Sequence, residues 1–141
     1  MYQNLIGNKD EALVHLFFHC CMKDGEFGEA ELQTVSDIIV SAGLNKSLNL
    51  KDEMNKYRQY NKSINDETGY LSFLIEIIRP ANRLALFSFC AELFLSDKNV
   101  TLSEEMLINK IAGFLFIKPT ESLTVQQLIV ELNAVQSGQS F

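Results

Sequence analysis

The sequence predicts an all-α fold of about seven helices, and three observations support this prediction. Hydrophobic residues recur at the three-to-four-residue spacing of amphipathic helices along most of the chain. No pair of segments shows the two-residue alternation that is typical of paired strands. One helix–turn–helix pattern occurs twice, and pairs of helices of this kind commonly build helical bundles. With 141 residues, of which 47% are hydrophobic, the chain has the length and composition of a single domain.

The first predicted helix, about residues 8–23, is apolar around most of its circumference, so we expect it to lie at the centre of the fold. Its polar residues form one stripe at four-residue spacing, which we interpret as its solvent-facing side. Two histidines at this spacing could also offer two ligands to zinc, but a solvated stripe is the more common reason for the pattern. The residues of this stripe are Glu11, His15, His19 and Lys23.

The second predicted helix, about residues 29–42, carries its hydrophobic residues on one face and is followed by Gly43. Glycine readily adopts the left-handed conformation that ends many helices, and Leu44 can then fold back on the last turn. A third amphipathic helix is predicted over about residues 50–64, with Asn49 in position to cap it.

Similar signals place the remaining helices. Asn65 or Asp66 can begin a fourth helix. Pro80 suits the first position of a fifth, which runs to about Ser96. Lys118-Pro119 ends the sixth helix, because proline cannot continue it. The sixth and seventh helices are predicted over about residues 102–116 and 123–135.

The two copies of the helix–turn–helix pattern lie seventy-three residues apart and share one register. In each copy an apolar helix leads into an aspartate, and a glutamate follows seven positions later. The matched pairs are Asp24 with Asp97, Phe27 with Val100, Glu31 with Glu104, Ile38 with Ile111 and Leu44 with Ile117. We therefore predict two hairpins, over about residues 10–45 and 82–118, joined by a helical connector over 46–81 and related by a pseudo-two-fold axis. Packed face to face, they would form one domain over residues 1–141, because neither hairpin alone could bury its apolar faces.

The acidic turns are not calcium loops of the EF-hand type. The stretch from Asp24 to Glu31, with Gly25 after the aspartate, matches the second half of such a loop. Ca²⁺ takes oxygen ligands, and the earlier ligand positions do not supply them. Those positions hold Cys20 and Met22 in the first copy and Leu93 and Leu95 in the second.

The repeated pattern instead resembles the TerB-like family, which includes tellurite-resistance TerB and a related domain of membrane-anchored J-domain co-chaperones. The resemblance covers about residues 10–117. The first copy matches through Asp24, Gly25, Phe27, Glu31 and the closing Gly43-Leu44, whereas the second copy has Lys98 where glycine is usual. The resemblance implies an all-helical, non-enzymatic binding or scaffolding module of a bacterial stress response, and we expect it to act on a protein partner.

The resemblance also implies a divalent metal ion, for which Ca²⁺, Mg²⁺ and Mn²⁺ are the candidates. The implied ligands are Asp24, Glu31, Asp97 and Glu104, with Glu26 and Glu105 as auxiliary residues. Structural capping explains the same residues in another way. Thr101 to Glu104 has the spacing of a capping box, and Gly28 to Glu31 repeats that spacing. Capping is the simpler explanation, because it does not require the two turns to converge.

Two further functions stay open as alternatives. One is a metal-independent protein-interaction domain. The other is an enzyme that uses the acidic turns as a carboxylate metal site, which is less favoured because the acidic positions lack the histidines of di-metal helical bundles. Cys20 and Cys90 lie in apolar runs without the base and electropositive setting that a nucleophilic cysteine requires.

Charge and cysteine content bound the partners and the compartment. A formal net charge of -6 would repel phosphate backbones, so we expect no nucleic-acid partner. The three cysteines do not suggest an even disulfide framework, which favours a reducing compartment. The start of the chain lacks a basic, apolar leader, and no apolar run is long enough to span a membrane. These features predict a cytoplasmic protein without a transmembrane segment.

Overall fold

A computed structural model describes residues 2–22, 29–44, 48–95, 101–138 and 140, without the side chains of residues 22 and 29–31. The described residues form seven α-helices and contain no strand, which confirms the predicted all-α class. The helices are α1 (Lys9–Met22), α2 (Glu29–Ser41), α3 (Leu50–Tyr60), α4 (Glu67–Ile78), α5 (Arg83–Leu95), α6 (Leu102–Phe114) and α7 (Pro119–Gln136). Short 3-10 helices span Tyr2–Asn4 and Asn61–Ser63.

The chain divides into two compact units, Met1–Ala81 and Asn82–Phe141. In the first unit, α1 packs against α2, α3 and α4, and every residue from Ala12 to Cys20 is buried. α1 is therefore the central helix of its unit. In the second unit, α5 packs against α6 and α7. The face-to-face packing of two hairpins, the pseudo-two-fold axis and the single domain stay predictions.

The repeat is visible in the bounds of the helices. α1 and α5 end at the matched residues Met22 and Leu95. α2 and α6 begin and end at matched residues, Glu29 with Leu102 and Ser41 with Phe114. Each acidic turn therefore lies between helices that stop and start at equivalent positions.

The ends of α2 and α6 also match hydrogen bond for hydrogen bond. Gly43 has the predicted left-handed backbone, with φ of 67°, and the backbone N–H of Leu44 donates to the carbonyl of Ile39 at 3.1 Å. At the end of α6, Phe116 has φ of 56° and the N–H of Ile117 donates to the carbonyl of Ala112 at 2.9 Å. Both ends are Schellman motifs, which satisfy carbonyls that a helix end leaves without partners.

The predicted caps of the connector are confirmed. The side chain of Asn49 accepts from the backbone N–H of Asp52 at the start of α3, and the side chain of Asp66 accepts from that of Gly69 at the start of α4. α3 ends at Tyr60, and the last predicted turn becomes the 3-10 helix.

The two prolines lie at other helix positions than the sequence predicts. Pro80 does not begin α5. It follows Arg79, which ends α4 in a left-handed conformation, and α5 begins three residues later, at Arg83. Pro119 begins α7 instead of only ending α6, so that α7 starts four residues earlier than predicted. Proline lacks an N–H, and the first turn of a helix is where that loss costs nothing.

Candidate functional site

The two histidines of the polar stripe on α1 are buried, so the prediction that this side of the helix faces solvent is wrong for both of them. His15 is 0% exposed and His19 is 5% exposed. Glu11 is half-buried and accepts from the backbone N–H of Gly7 at the start of α1, and Lys23 lies outside the described residues. α3 and α4 pack over the histidine face of α1 and supply hydroxyl and carboxylate partners that replace water.

His15 binds groups on α3 through both ring nitrogens. Its Nδ1 lies 2.6 Å from the hydroxyl of Tyr60, and its Nε2 lies 3.1 Å from Oε1 of Glu53. The other carboxylate oxygen of Glu53 accepts from Nζ of Lys56 at 3.0 Å. The Tyr60 hydroxyl also lies 2.6 Å from the hydroxyl of Tyr70 on α4. This chain of groups, the His15 network, joins three helices.

His19 repeats the arrangement one helical turn later. Its Nδ1 lies 2.8 Å from the hydroxyl of Tyr57 on α3, and its Nε2 lies 3.0 Å from Oε2 of Glu67 on α4. Each histidine is therefore held between a tyrosine hydroxyl and a carboxylate. Because residues four apart lie on one face of a helix, α1 presents both imidazoles to the same two neighbouring helices.

The partners determine where the protons lie around His15. An ionised carboxylate only accepts hydrogen bonds, so Nε2 of His15 carries the proton and donates to Glu53. Nδ1 of the neutral ring then accepts from the hydroxyl of Tyr60, which in turn accepts from the hydroxyl of Tyr70.

Burial determines how these groups titrate. Desolvation lowers the pKa of His15 below its usual value of 6.5, although the hydrogen bond and the charge of Glu53 act in the opposite direction. Desolvation raises the pKa of the buried hydroxyls of Tyr57, Tyr60 and Tyr70. The hydrogen bond that Lys56 donates to Glu53 raises the pKa of Lys56. At neutral pH the tyrosines therefore act as hydrogen-bond donors and keep their protons.

The network is closed as well as buried. Among the described residues, every buried side-chain nitrogen and oxygen has a hydrogen-bond partner. The ring of Tyr2 covers the network, with its centroid 4.9 Å from that of Tyr70 and 5.8 Å from that of Tyr60. A satisfied polar network of this kind specifies how helices pack, because each lost partner would leave a costly buried group.

Sequence reasoning missed this network, although one signal pointed to it. Tyr57 and Tyr60 fall within the amphipathic helix predicted over residues 50–64, and a buried tyrosine hydroxyl requires a partner. The histidines of α1 were the available partners, but only the packing of α3 against α1 brings them within reach.

Most of the predicted metal ligands lie outside the described residues. Asp24, Glu26 and Asp97 do so entirely, as does the side chain of Glu31, whose backbone belongs to the first turn of α2. Glu105 is exposed in the first turn of α6. The described residues contain no group of three or more histidine, cysteine, aspartate or glutamate side chains that could hold a metal ion.

Glu104 performs the predicted capping role. The side chain of Thr101 accepts from the backbone N–H of Glu104 at 3.2 Å, and Oε1 of Glu104 accepts from the backbone N–H of Thr101 at 3.3 Å. These reciprocal bonds form the capping box at the start of α6. A carboxylate offers about four lone-pair sites, so capping through Oε1 is chemically compatible with a further oxygen contact to a hard cation.

The three cysteines all lie among the described residues, and they form no disulfide. Cys20 and Cys90 are buried, and Cys21 is half-buried. Within the described part of the chain, no helix combines the length and apolar character needed to cross a membrane.

Comparison with known proteins places this architecture in a family. Residues 10–127 match the family model described as tellurite resistance protein TerB. No curated protein and no solved structure matches the chain significantly. The family match covers both copies of the repeat and the connector between them, as well as the first half of α7. The chain therefore belongs to the TerB family.

Proposed function

We propose that this chain is a non-enzymatic binding module of a bacterial stress response, and that its two acidic turns take a divalent cation. The observation that supports the proposal is the equivalence of the two hairpins. α1 and α5 end, and α2 and α6 begin, at matched residues, so the four candidate ligands fall at equivalent sequence positions relative to those helix ends.

The candidate ligands suit a hard cation. Asp24, Glu31, Asp97 and Glu104 would provide carboxylate oxygens, which Ca²⁺, Mg²⁺ and Mn²⁺ prefer. Bound, the ion would neutralise the charge of these carboxylates.

The second candidate is a metal-independent protein-interaction domain, and the capping box favours it. Glu104 already stabilises the start of α6 through Thr101, so its presence requires no metal. If capping is the whole role of these residues, the module binds its protein partner without a cation.

A metal titration separates the two candidates. The melting temperature of the chain is measured with Ca²⁺, Mg²⁺ or Mn²⁺ at up to millimolar concentration, and again after chelation. Binding to the native state raises stability by mass action, by about 2.7 kcal/mol when the free ion is at 100 times its Kd. We expect a rise of several degrees, which the Asp24→Asn/Asp97→Asn variant loses.

Glu104→Gln is the matched control for capping. Glutamine also satisfies a capping box, so the metal-free variant should melt close to the parent chain, while losing a carboxylate from the metal site. A metal-dependent rise that persists unchanged in both variants would place the cation elsewhere. No rise with any of the ions would leave the metal-independent interaction domain as the function.

A further inference from the structure

The His15 network has one arrangement of hydrogen bonds when the imidazole is neutral. Tyr70 donates to Tyr60, Tyr60 donates to Nδ1 of His15, and Nε2 of His15 donates to Glu53. Lys56 completes the chain by donating to the same carboxylate. In this arrangement every acceptor faces a donor, and the groups that do so belong to α1, α3 and α4.

Protonation of His15 disrupts this arrangement. Both ring nitrogens of an imidazolium are donors, so the Tyr60 hydroxyl must turn round and accept from Nδ1. Tyr60 then donates to Tyr70, and the Tyr70 hydroxyl loses the acceptor that it had. Tyr70 is 0% exposed, so this hydroxyl cannot turn to water while the helices stay packed. A buried donor without a partner bears its full desolvation penalty.

We propose that the His15 network is an acid-sensitive clamp, in which protonation of His15 reverses the hydrogen bonds along Tyr60 and Tyr70 and releases α3 and α4 from α1. The clamp goes beyond the proposed function and does not depend on it. The network and the proposed metal ligands have no residue in common, so either can fail without the other.

The groups around His15 favour a neutral ring at neutral pH. From α3, the carboxylate of Glu53 favours the charged ring, while the ammonium of Lys56 opposes it. Glu11 of α1 adds a smaller favourable charge. Burial outweighs these contributions and lowers the pKa of His15.

The other groups that face the two imidazoles come from the helices packed on α1. Tyr57 and Tyr60 of α3, Glu67 and Tyr70 of α4 and the ring of Tyr2 surround them. On α2, Asp37 is exposed and accepts from Gln33, and the side chains of Glu29 and Glu31 lie outside the described residues. The groups that enclose the two imidazoles are therefore mainly tyrosines, together with the carboxylates of Glu53 and Glu67 that bond the rings.

Hydrogen exchange followed by mass spectrometry tests the clamp in the full chain. Amide exchange is measured at pH 7.5 and pH 5.5 and corrected for the intrinsic effect of pH. Opening that takes up one proton becomes up to about tenfold more frequent for each pH unit below the normal histidine pKa. We expect protection to fall in α3 and α4.

α6 and α7 serve as the internal control, because the network hydrogen bonds described above involve neither helix. Equal changes in all four helices, or no change in α3 and α4, would overturn the proposal.

Two variants and one spectroscopic measurement assign the effect to His15. His15→Gln removes the titrating ring and should abolish the pH-dependent exchange of α3 and α4, whereas His19→Gln should retain it. If His19→Gln loses the pH-dependent exchange and His15→Gln keeps it, the assignment of the effect to His15 is overturned. Because a buried variant can fail to fold, nitrogen-15 NMR of the parent chain provides an independent test. At pH 7.5 we expect the proton of His15 on Nε2, and a proton on Nδ1 would contradict the clamp.

Discussion

At the end of α6, Phe116 adopts a backbone conformation that glycine adopts at the end of α2. Its φ is 56°, where Gly43 has 67°. For an L-residue this left-handed conformation costs roughly 1–2 kcal/mol, because Cβ approaches the following carbonyl oxygen. The Phe116 side chain is 78% exposed, and its ring lies 5.5 Å from the guanidinium carbon of Arg83. A cation–π contact at an exposed site contributes about 0.5–1 kcal/mol, so it offsets the strain only in part.

We therefore expect Phe116→Gly to stabilise the chain and Gly43→Ala to destabilise it. Glycine relieves the strain at position 116, and the gain should be up to about 1 kcal/mol after its own entropic cost. Alanine at position 43 introduces a similar strain, although nothing lies within 4 Å of the added Cβ. Urea unfolding of the two variants and the parent measures both changes. A loss of stability in Phe116→Gly would mean that the ring contributes more than the strain costs.

At the scale of the element, the start of α6 is stabilised by a capping box that the sequence predicts. The box joins Thr101 and Glu104 across a single turn, and both residues belong to the segment that it stabilises. Its existence does not depend on how the rest of the chain packs. The same is true of Asn49 and Asp66, which cap α3 and α4.

Loss of the Thr101 cap should be measurable. We expect Thr101→Ala to lower the free energy of unfolding by about 1 kcal/mol, because the backbone N–H of Glu104 loses its acceptor. Thr124→Ala is the matched control, since that exposed hydroxyl bonds a carbonyl within α7 and caps no helix. Its effect should stay within about 0.5 kcal/mol. Urea unfolding followed by circular dichroism compares the two. Equal losses in both variants would show that the cap has no special role.

At the scale of the whole molecule, the burial of His15 makes stability depend on pH. Folding lowers the pKa of His15 below the unfolded value of 6.5. Above that pH the ring is neutral in both states, so its titration does not reduce the free energy of unfolding. As pH falls below that value, the unfolded chain binds a proton that the folded chain does not. The free energy of unfolding then falls, by up to about 1.4 kcal/mol per pH unit, until the folded pKa is reached.

Tyrosine fluorescence offers a direct measurement of this dependence. The chain has no tryptophan, and its four tyrosines, Tyr2, Tyr57, Tyr60 and Tyr70, all lie in the first compact unit. Urea unfolding followed by this signal at several pH values between 5 and 8 therefore reports on the unit that contains His15. We expect the midpoint to decrease with acid, and to decrease less in His15→Gln. A midpoint that is constant over this range would contradict the lowered pKa.

The sequence predicts the parts of the candidate sites that depend on short-range interactions, and it does not predict those that depend on long-range ones. It predicted the role of Glu104 in capping, because the partner is three residues away. It missed the His15 network, because His15 meets Glu53 and Tyr60 across 38 and 45 residues of chain. The metal proposal at the acidic turns stays a prediction.

The sequence by itself determined the local features of this protein: the all-α class, the positions of its caps, the left-handed end of α2 and the register of the repeat. Each depends on residues within a turn or two of one another, whose hydrogen bonds form with little help from the rest of the chain. The tertiary structure alone decided the environment of the polar stripe on α1. A histidine on an otherwise apolar helix can face water or a partner. Here the connector helices bring tyrosines and carboxylates over His15 and His19, so that both could be buried without an unsatisfied group.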